Sequence, residues 1–159
     1  SIILEAVLVL ECLLPAKSGV NRFLPPTPIF VRVDHRGRNL STEIVYEECD
    51  LELGDPMRLM DKSAVKEQLL PEMLRITQKL AQEKSVKIID EAQVKVKAYF
   101  ASEMARLKDL QEKNSFIKDE EINDLNNAFE LLMTEIPKSR IRQDALRLVW
   151  KGSENYLDG

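Results

Sequence analysis

From Met57 to Asn114 the chain runs without a glycine, and apolar residues recur through most of that stretch at helical spacing. They are Val65, Leu69, Met73, Ile76, Leu80, Ile88 and Ile89, Ala92, Val96, Tyr99, Phe100, Met104, Leu107 and Leu110. Glu83–Lys87, Glu91–Lys95 and Asp109–Lys113 add carboxylate-to-ammonium pairs one turn apart, in the order that supports a helix. Pro71 is the one break: either a short helix precedes it or it kinks the rod, because proline lacks the N–H that a helix interior needs. A continuous helix from Pro71 to Lys113 would be roughly 60 Å long at about 1.5 Å per residue. That exceeds the diameter expected of a compact domain this size, so part of it is expected to project.

The residues before this helix follow a different period. In Leu4 to Cys12 the even positions are apolar while Glu5 and Glu11 fall on the other face, the two-residue repeat of a strand. Ile29, Val31 and Val33 form a second strand face, with Arg32 and Asp34 opposite. Asp34-His35-Arg36-Gly37 supplies turn chemistry, and Ile44 to Glu48 is expected to return as the partner strand. After the helix, Asn114 to Lys118 makes a short connection, and Asp119, Glu120 and Glu121 put negative charge where a helix N-terminus favours it. Ile122, Leu125, Phe129, Leu132, Met133 and Ile136 line one face of that second helix and Pro137 stops it, so the two helices are expected to pair as an antiparallel hairpin. Asp144 to Lys151 returns to strand-like residues. The expected fold class is α+β: an antiparallel sheet of about four strands, the last from the C-terminal segment, with a long helical hairpin inserted. The expected boundaries within a single unit 1–159 are antiparallel strands over 1–52, long helix and antiparallel partner helix over 61–136, a returning strand over 140–151 and a tail over 152–159. Ser1, in place of Met, leads straight into a strand pattern, as expected of a domain belonging to a longer protein.

Charge narrows the function. The net −4 divides into six basic and nine acidic groups over residues 1–60, twelve and nine over 61–118, and five and nine over 119–159. None of these is the strongly basic face with which a dedicated nucleic-acid binder neutralises phosphates. The apolar run Ile2 to Leu14 is interrupted by Glu5 and Glu11 and is too short to span a bilayer. Cys12 and Cys49 have neither metal-ligand spacing nor a cysteine framework and read as reduced thiols of a cytosolic protein.

Few residues carry a pattern that chemistry could use. Ile88-Ile89-Asp90-Glu91-Ala92-Gln93 looks like the Mg²⁺- and water-positioning tetrad of helicase-like ATPases, but lysines at 84, 87, 95 and 97 flank it on a helical pattern. No Gly-x-x-x-x-Gly-Lys-Ser/Thr loop accompanies it, so a solvated helix is the reading here. His35 is the single histidine and sits in a charged turn, which gives neither a catalytic triad nor a zinc site a second strong ligand. Glu47-Glu48-Cys49-Asp50 reads as an exposed strand end, and Asp119-Glu120-Glu121 as helix-terminal charge. No catalytic, cofactor-binding or metal-binding residue is assigned. The candidates for partner contact are Arg22, Phe23, Pro25 and Pro26, in a proline-stiffened loop, and Arg36 and Arg38, in the turn beside Arg32. Phe23 and Leu24 could instead pack as core under that loop.

Leu4-Glu5-Ala6-Val7-Leu8-Val9-Leu10-Glu11, Arg22-Phe23-Leu24-Pro25-Pro26-Thr27-Pro28-Ile29, Val33-Asp34 with Arg36-Gly37, and Asp144-Ala145-Leu146-Arg147-Leu148 together resemble the C-terminal domain of the RapA family. These are bacterial RNA-polymerase-associated, Snf-type helicase-like ATPases that act as polymerase recycling factors. The resemblance spans essentially the whole chain except Gly152 to Gly159 and is most specific over Arg22 to Ile29. It implies a bacterial, cytoplasmic parent that binds core RNA polymerase and hydrolyses ATP with Mg²⁺ in two RecA-like lobes. The phosphate, Mg²⁺ and DNA-tracking motifs would lie in those lobes, so no catalytic residue carries over, Asp90 and Glu91 included. This chain would be a non-catalytic C-terminal accessory domain whose partners are core polymerase and the other domains of its own chain. A free-standing helical-hairpin scaffold or chaperone-like protein is the competing reading.

Overall fold

The computed structural model describes residues 1–152, so most of the expected tail 152–159 lies outside the described residues. It is α+β, with a three-stranded antiparallel sheet and one long helix among those residues. The strands are β1 (Ile2–Glu11), β2 (Thr27–Asp34) and β3 (Arg140–Trp150), in the order β2-β1-β3, so the first strand is the central one. The helices are α1 (Pro56–Met60), α2 (Leu70–Lys113) and α3 (Asp119–Glu135). The chain divides into two compact units. One comprises Ser1–Val9, Pro28–Lys84 and Gln143 onward; the other comprises Leu10–Thr27 and Ser85–Arg142.

The expected fourth strand does not form. The turn at Asp34 does, with Gly37 N–H donating to the Asp34 carbonyl at 2.9 Å and Gly37 at φ +80°. The positive φ favours glycine there, and a side chain at Gly37 would in addition press on Ile76 Cδ1 at 3.0 Å. The returning chain makes one bridge, Val33 to Asn39, and then leaves the sheet. Local side-chain bonds replace the ladder. The Asn39 side-chain oxygen accepts from the Ser41 N–H at 3.0 Å, and Ser41 Oγ accepts from the Arg32 N–H at 3.1 Å, where a strand would have offered a carbonyl. Residues 44–47 are irregular and Glu48 opens a short 3₁₀ turn, and Ile44 is 85% exposed rather than facing a core.

Asp34 holds the turn. Its carboxylate accepts from the Arg36 and Arg38 backbone N–H groups at 3.0 and 2.9 Å and from Arg38 Nε at 2.7 Å. Burial by itself raises this carboxyl, but the backbone and side-chain hydrogen bonds of Arg38 and the backbone bond of Arg36 outweigh it and hold the group below the ordinary carboxylate range.

In the first unit, Leu4, Ala6 and Leu8 of β1 and Ile29, Val31 and Val33 of β2 are all buried, as their alternation requires. The central strand departs from strict alternation at one end, where Ile2 through Ala6 are all buried, Glu5 among them. Glu5 bridges the sheet: its carboxylate lies 2.9 Å from Arg32 Nε on β2 and 2.6 Å from Arg147 Nη2 on β3. Arg147 continues to Glu48 at 2.7 Å, and the Arg32 guanidinium stands 5.2 Å from the ring centres of Phe30 and Tyr46.

The helical stretch enters through a wide turn. Val65–Leu69 form a π turn in which the Leu70 N–H donates to the Val65 carbonyl, five residues back, and Pro71 follows at once. Pro71 therefore neither ends the helix nor separates it from the turns before it. Below it, Met73, Ala92, Val96 and Phe100 are buried as the periodicity predicts. Thr77, Ala81 and Ser85 are buried too, at positions whose polarity or small size gave no core signal. Thr77 Oγ1 has no hydrogen-bond partner. In the second unit Gln111 and Asp119 join the end of α2 to the start of α3 at 2.8 Å across Asn114–Lys118, and α3 ends at Glu135 just before Pro137.

Three outcomes follow for urea unfolding. Glu5→Ala should cost about 3 kcal/mol, the low end for breaking a buried ion pair, since Arg147 is 45% exposed and retains Glu48. Thr77→Val should be neutral or stabilising by up to about 1 kcal/mol, because it removes an unsatisfied buried hydroxyl at nearly constant shape. The Asp34 carboxyl titrates lower folded than unfolded, so its contribution is fully present above the unfolded value near 3.8 and is lost as pH falls through the folded one. Stability of Asp34→Asn should accordingly fall less steeply than wild type below about pH 4; equal slopes would remove Asp34 from this role.

Candidate functional site

The proline-rich loop is built in the second unit from inside outward. Two 3₁₀ turns, Ala16–Ser18 and Val20–Arg22, meet at Gly19, whose φ is +80°. They lead Val20, Phe23 and Leu24 into the interior. The Phe23 ring lies 5.5 Å from Tyr99 and 6.2 Å from Phe100, and Phe100 lies 5.6 Å from Phe129 of α3, all in the tilted or edge-on range that aromatic pairs favour. Arg22 lies over Tyr99, its guanidinium carbon 4.1 Å from the ring centre. Thr27 Oγ donates to the Pro25 carbonyl at 2.7 Å and fixes the loop's exit. Phe23 is thus a buried anchor, while Arg22, Pro25 and Pro26 are the members left exposed.

Arg36 and Arg38 share the Asp34 turn of the first unit and both are exposed. Arg38 commits one donor edge to Asp34 yet keeps 66% of its side chain in solvent, and the Arg36 side chain extends from a backbone that Asp34 already holds. Arg32, close by in sequence, is committed to Glu5 and is not part of this surface. The result is two exposed arginines on one hydrogen-bonded turn, the Arg38 guanidinium held by Asp34 and Arg36 held through its backbone, suited to carboxylate- or phosphate-bearing partners.

The other candidates of the sequence are placed as follows. Asp90 and Glu91 are both exposed on α2. His35 makes two hydrogen bonds to the Ile2 backbone: its own backbone N–H donates to the Ile2 carbonyl at 2.9 Å, and its imidazole Nδ1 accepts from the Ile2 N–H at 3.4 Å. Glu48–Asp50 form an exposed 3₁₀ turn rather than a strand end. Glu48 is drawn below the ordinary carboxylate range chiefly by its hydrogen bond from Arg147, and Arg147 is raised in turn, mainly by Glu48 and further by Glu5. Cys12 and Cys49 are both free thiols. Among the described residues no group of three or more His, Cys, Asp or Glu side chains is arranged to hold a metal ion, and no helix is long and apolar enough to cross a membrane. Glu5 is the residue that sequence reading underrates. The two-residue period puts it off the apolar face, and its two partners lie 27 and 142 residues away.

Comparison with known proteins bears on the same residues. The family described as "RNA polymerase recycling family C-terminal" matches residues 1–151. The chain is 31% identical over 152 residues to the RNA polymerase-associated protein RapA of Photobacterium profundum, a match that covers 94% of this chain and 16% of that protein. It is 29% identical over 151 residues to RapA of Serratia proteamaculans and, over the same length, to RapA of Yersinia enterocolitica, again at 94% of this chain and 16% of each relative. The chain thus spans well under a fifth of the length of the relatives it matches. The chain belongs to the RNA polymerase recycling family, as its C-terminal domain.

Proposed function

We propose that this chain is a non-catalytic accessory domain of an ATP-dependent factor that returns RNA polymerase to use after transcription, and that core RNA polymerase is the partner it helps to engage. The observation that carries this reading is the family match over residues 1–151, whose description names polymerase recycling. ATP, Mg²⁺ and DNA would be handled by the remainder of a much longer bacterial, cytoplasmic protein, since the relatives named for polymerase association are matched over only 16% of their length. The exposure of Asp90 and Glu91 on a helix fits this division of labour.

Within the domain, Arg22, Pro25 and Pro26 on the anchored loop, and Arg36 and Arg38 on the Asp34 turn, are the contact residues we favour. Both groups are exposed on backbone that buried neighbours hold in place. Phe23 acts as a positioning residue. We read α2 and α3 as an antiparallel hairpin, supported by the five-residue connection Asn114–Lys118, the Phe100–Phe129 ring contact and the Gln111–Asp119 bond.

Multi-round transcription with limiting polymerase tests the reading. Removing the domain from the parent should abolish the stimulation of later rounds, and Arg36→Glu with Arg38→Glu should weaken polymerase binding by about tenfold. Stimulation that survives the deletion would reject the accessory role. The isolated chain should bind no ATP, and micromolar affinity lost in Asp90→Ala would overturn the non-catalytic assignment.

A further inference from the structure

The loop that failed to become a strand leaves a groove of its own. Between residues 44–51 and the end of β3 lies an open cavity of about 450 Å³, all within the first unit, walled by Ile44, Val45, Tyr46, Leu51, Val149 and Trp150. Its volume falls within the range of pockets that take up small ligands, about 300–1,000 Å³. Glu47 and Asp50 also line it, against a single cation, Lys151. The loop that carries these two is strongly one-signed, because Glu43 through Asp55 contains six carboxylates and no basic residue. Three of the six already have partners: Glu48 in Arg147, Asp55 in the Met57 N–H that it caps, and Asp50 in the weakly donating Cys49 thiol, whose Sγ lies 3.9 Å away.

We propose that this groove is a docking site for a basic, apolar-flanked peptide segment of a partner protein, an arginine or lysine lying along the apolar wall with its charge at Glu47 and Asp50. The argument is complementarity of both kinds. Arginine and lysine are the side chains that join an aliphatic stem, suited to Val45, Leu51 and Val149, to a cation suited to two carboxylates. Nucleic acid is disfavoured by the sign of the loop. The chain's own last residues are disfavoured for the same reason, since 153–159 carry Glu154 and Asp158 and no basic group. The groove is distinct from the Arg36 and Arg38 turn and has the opposite sign, so it does not rest on the polymerase reading, and either can fail without the other.

Trp150 is the only tryptophan of the chain and lines the groove, so its emission reports occupancy. The probe is a capped hexapeptide of alternating leucine and arginine, with the leucine–glutamate hexapeptide as its counterpart. The arginine peptide should shift Trp150 emission saturably, more weakly as salt is raised. Its affinity should drop about tenfold in Glu47→Lys with Asp50→Lys and stay unchanged in Asp124→Lys with Glu130→Lys, two exposed carboxylates of α3. Far-ultraviolet circular dichroism confirms that each variant is folded. The proposal falls if no saturable response occurs, if the glutamate peptide responds equally, or if both double variants behave alike. Emission that depends on protein concentration without peptide would assign the groove to a second copy. Peptide binding that emerges only after residues 153–159 are removed would assign it to the chain's own end. Either result overturns the proposal.

Discussion

A carboxylate buried in the central strand organises the sheet. Glu5 is almost wholly shielded from water, and its charge is tolerable there only because two guanidinium groups meet it, Arg32 from one neighbouring strand and Arg147 from the other. Such an arrangement adds little net stability over an apolar replacement, since desolvating the ions offsets most of their attraction. What it specifies is register. The whole helical region separates β3 from β1 in the sequence, and a slip of one residue would turn Arg147 to the opposite face and leave Glu5 short of a partner. The 44–50 loop is tied to the same point, through Glu48 and Tyr46 on Arg147 and Arg32.

Much of the fold could be read from local pattern, because local pattern is what it obeys. β1 and β2 alternate, α2 keeps its period from Met73 to Phe100, and Pro137 follows the end of α3. The failures share a cause. Ile44–Glu48 has strand-like residues, yet Asn39 and Ser41 capture the backbone groups that would have extended the ladder. Thr77, Ala81 and Ser85 are buried at a four-residue spacing along α2, although two are polar and one is small, so hydropathy does not mark them as core. Glu5 is core because its partners arrive from elsewhere in the chain.

The partner-contact candidates were legible to the same extent. The string Arg22 to Pro28 contains both a buried anchor and an exposed rim, and its prolines stiffen the loop without revealing which side faces inward. Phe23 turns in against Tyr99 and Phe100, a pairing across more than 70 residues, and Leu24 is buried beside it in sequence. Arg36 and Arg38 were recognisable as turn charges, but the buried acceptor that fixes the turn, Asp34, could be identified only once its three hydrogen bonds were visible.

The wide turn ahead of Pro71 has a consequence for which face the helix buries. Val65 and Leu70 are both buried and stand five residues apart, a separation that an ordinary α-helix would rotate away from a common face. The i to i+5 bond brings them back into line and sets the phase for Met73, Thr77 and Ala81 below. The turn therefore acts as a splice. It is a single widened loop of backbone that turns the residues before it onto the same buried stripe as Met73, Thr77 and Ala81.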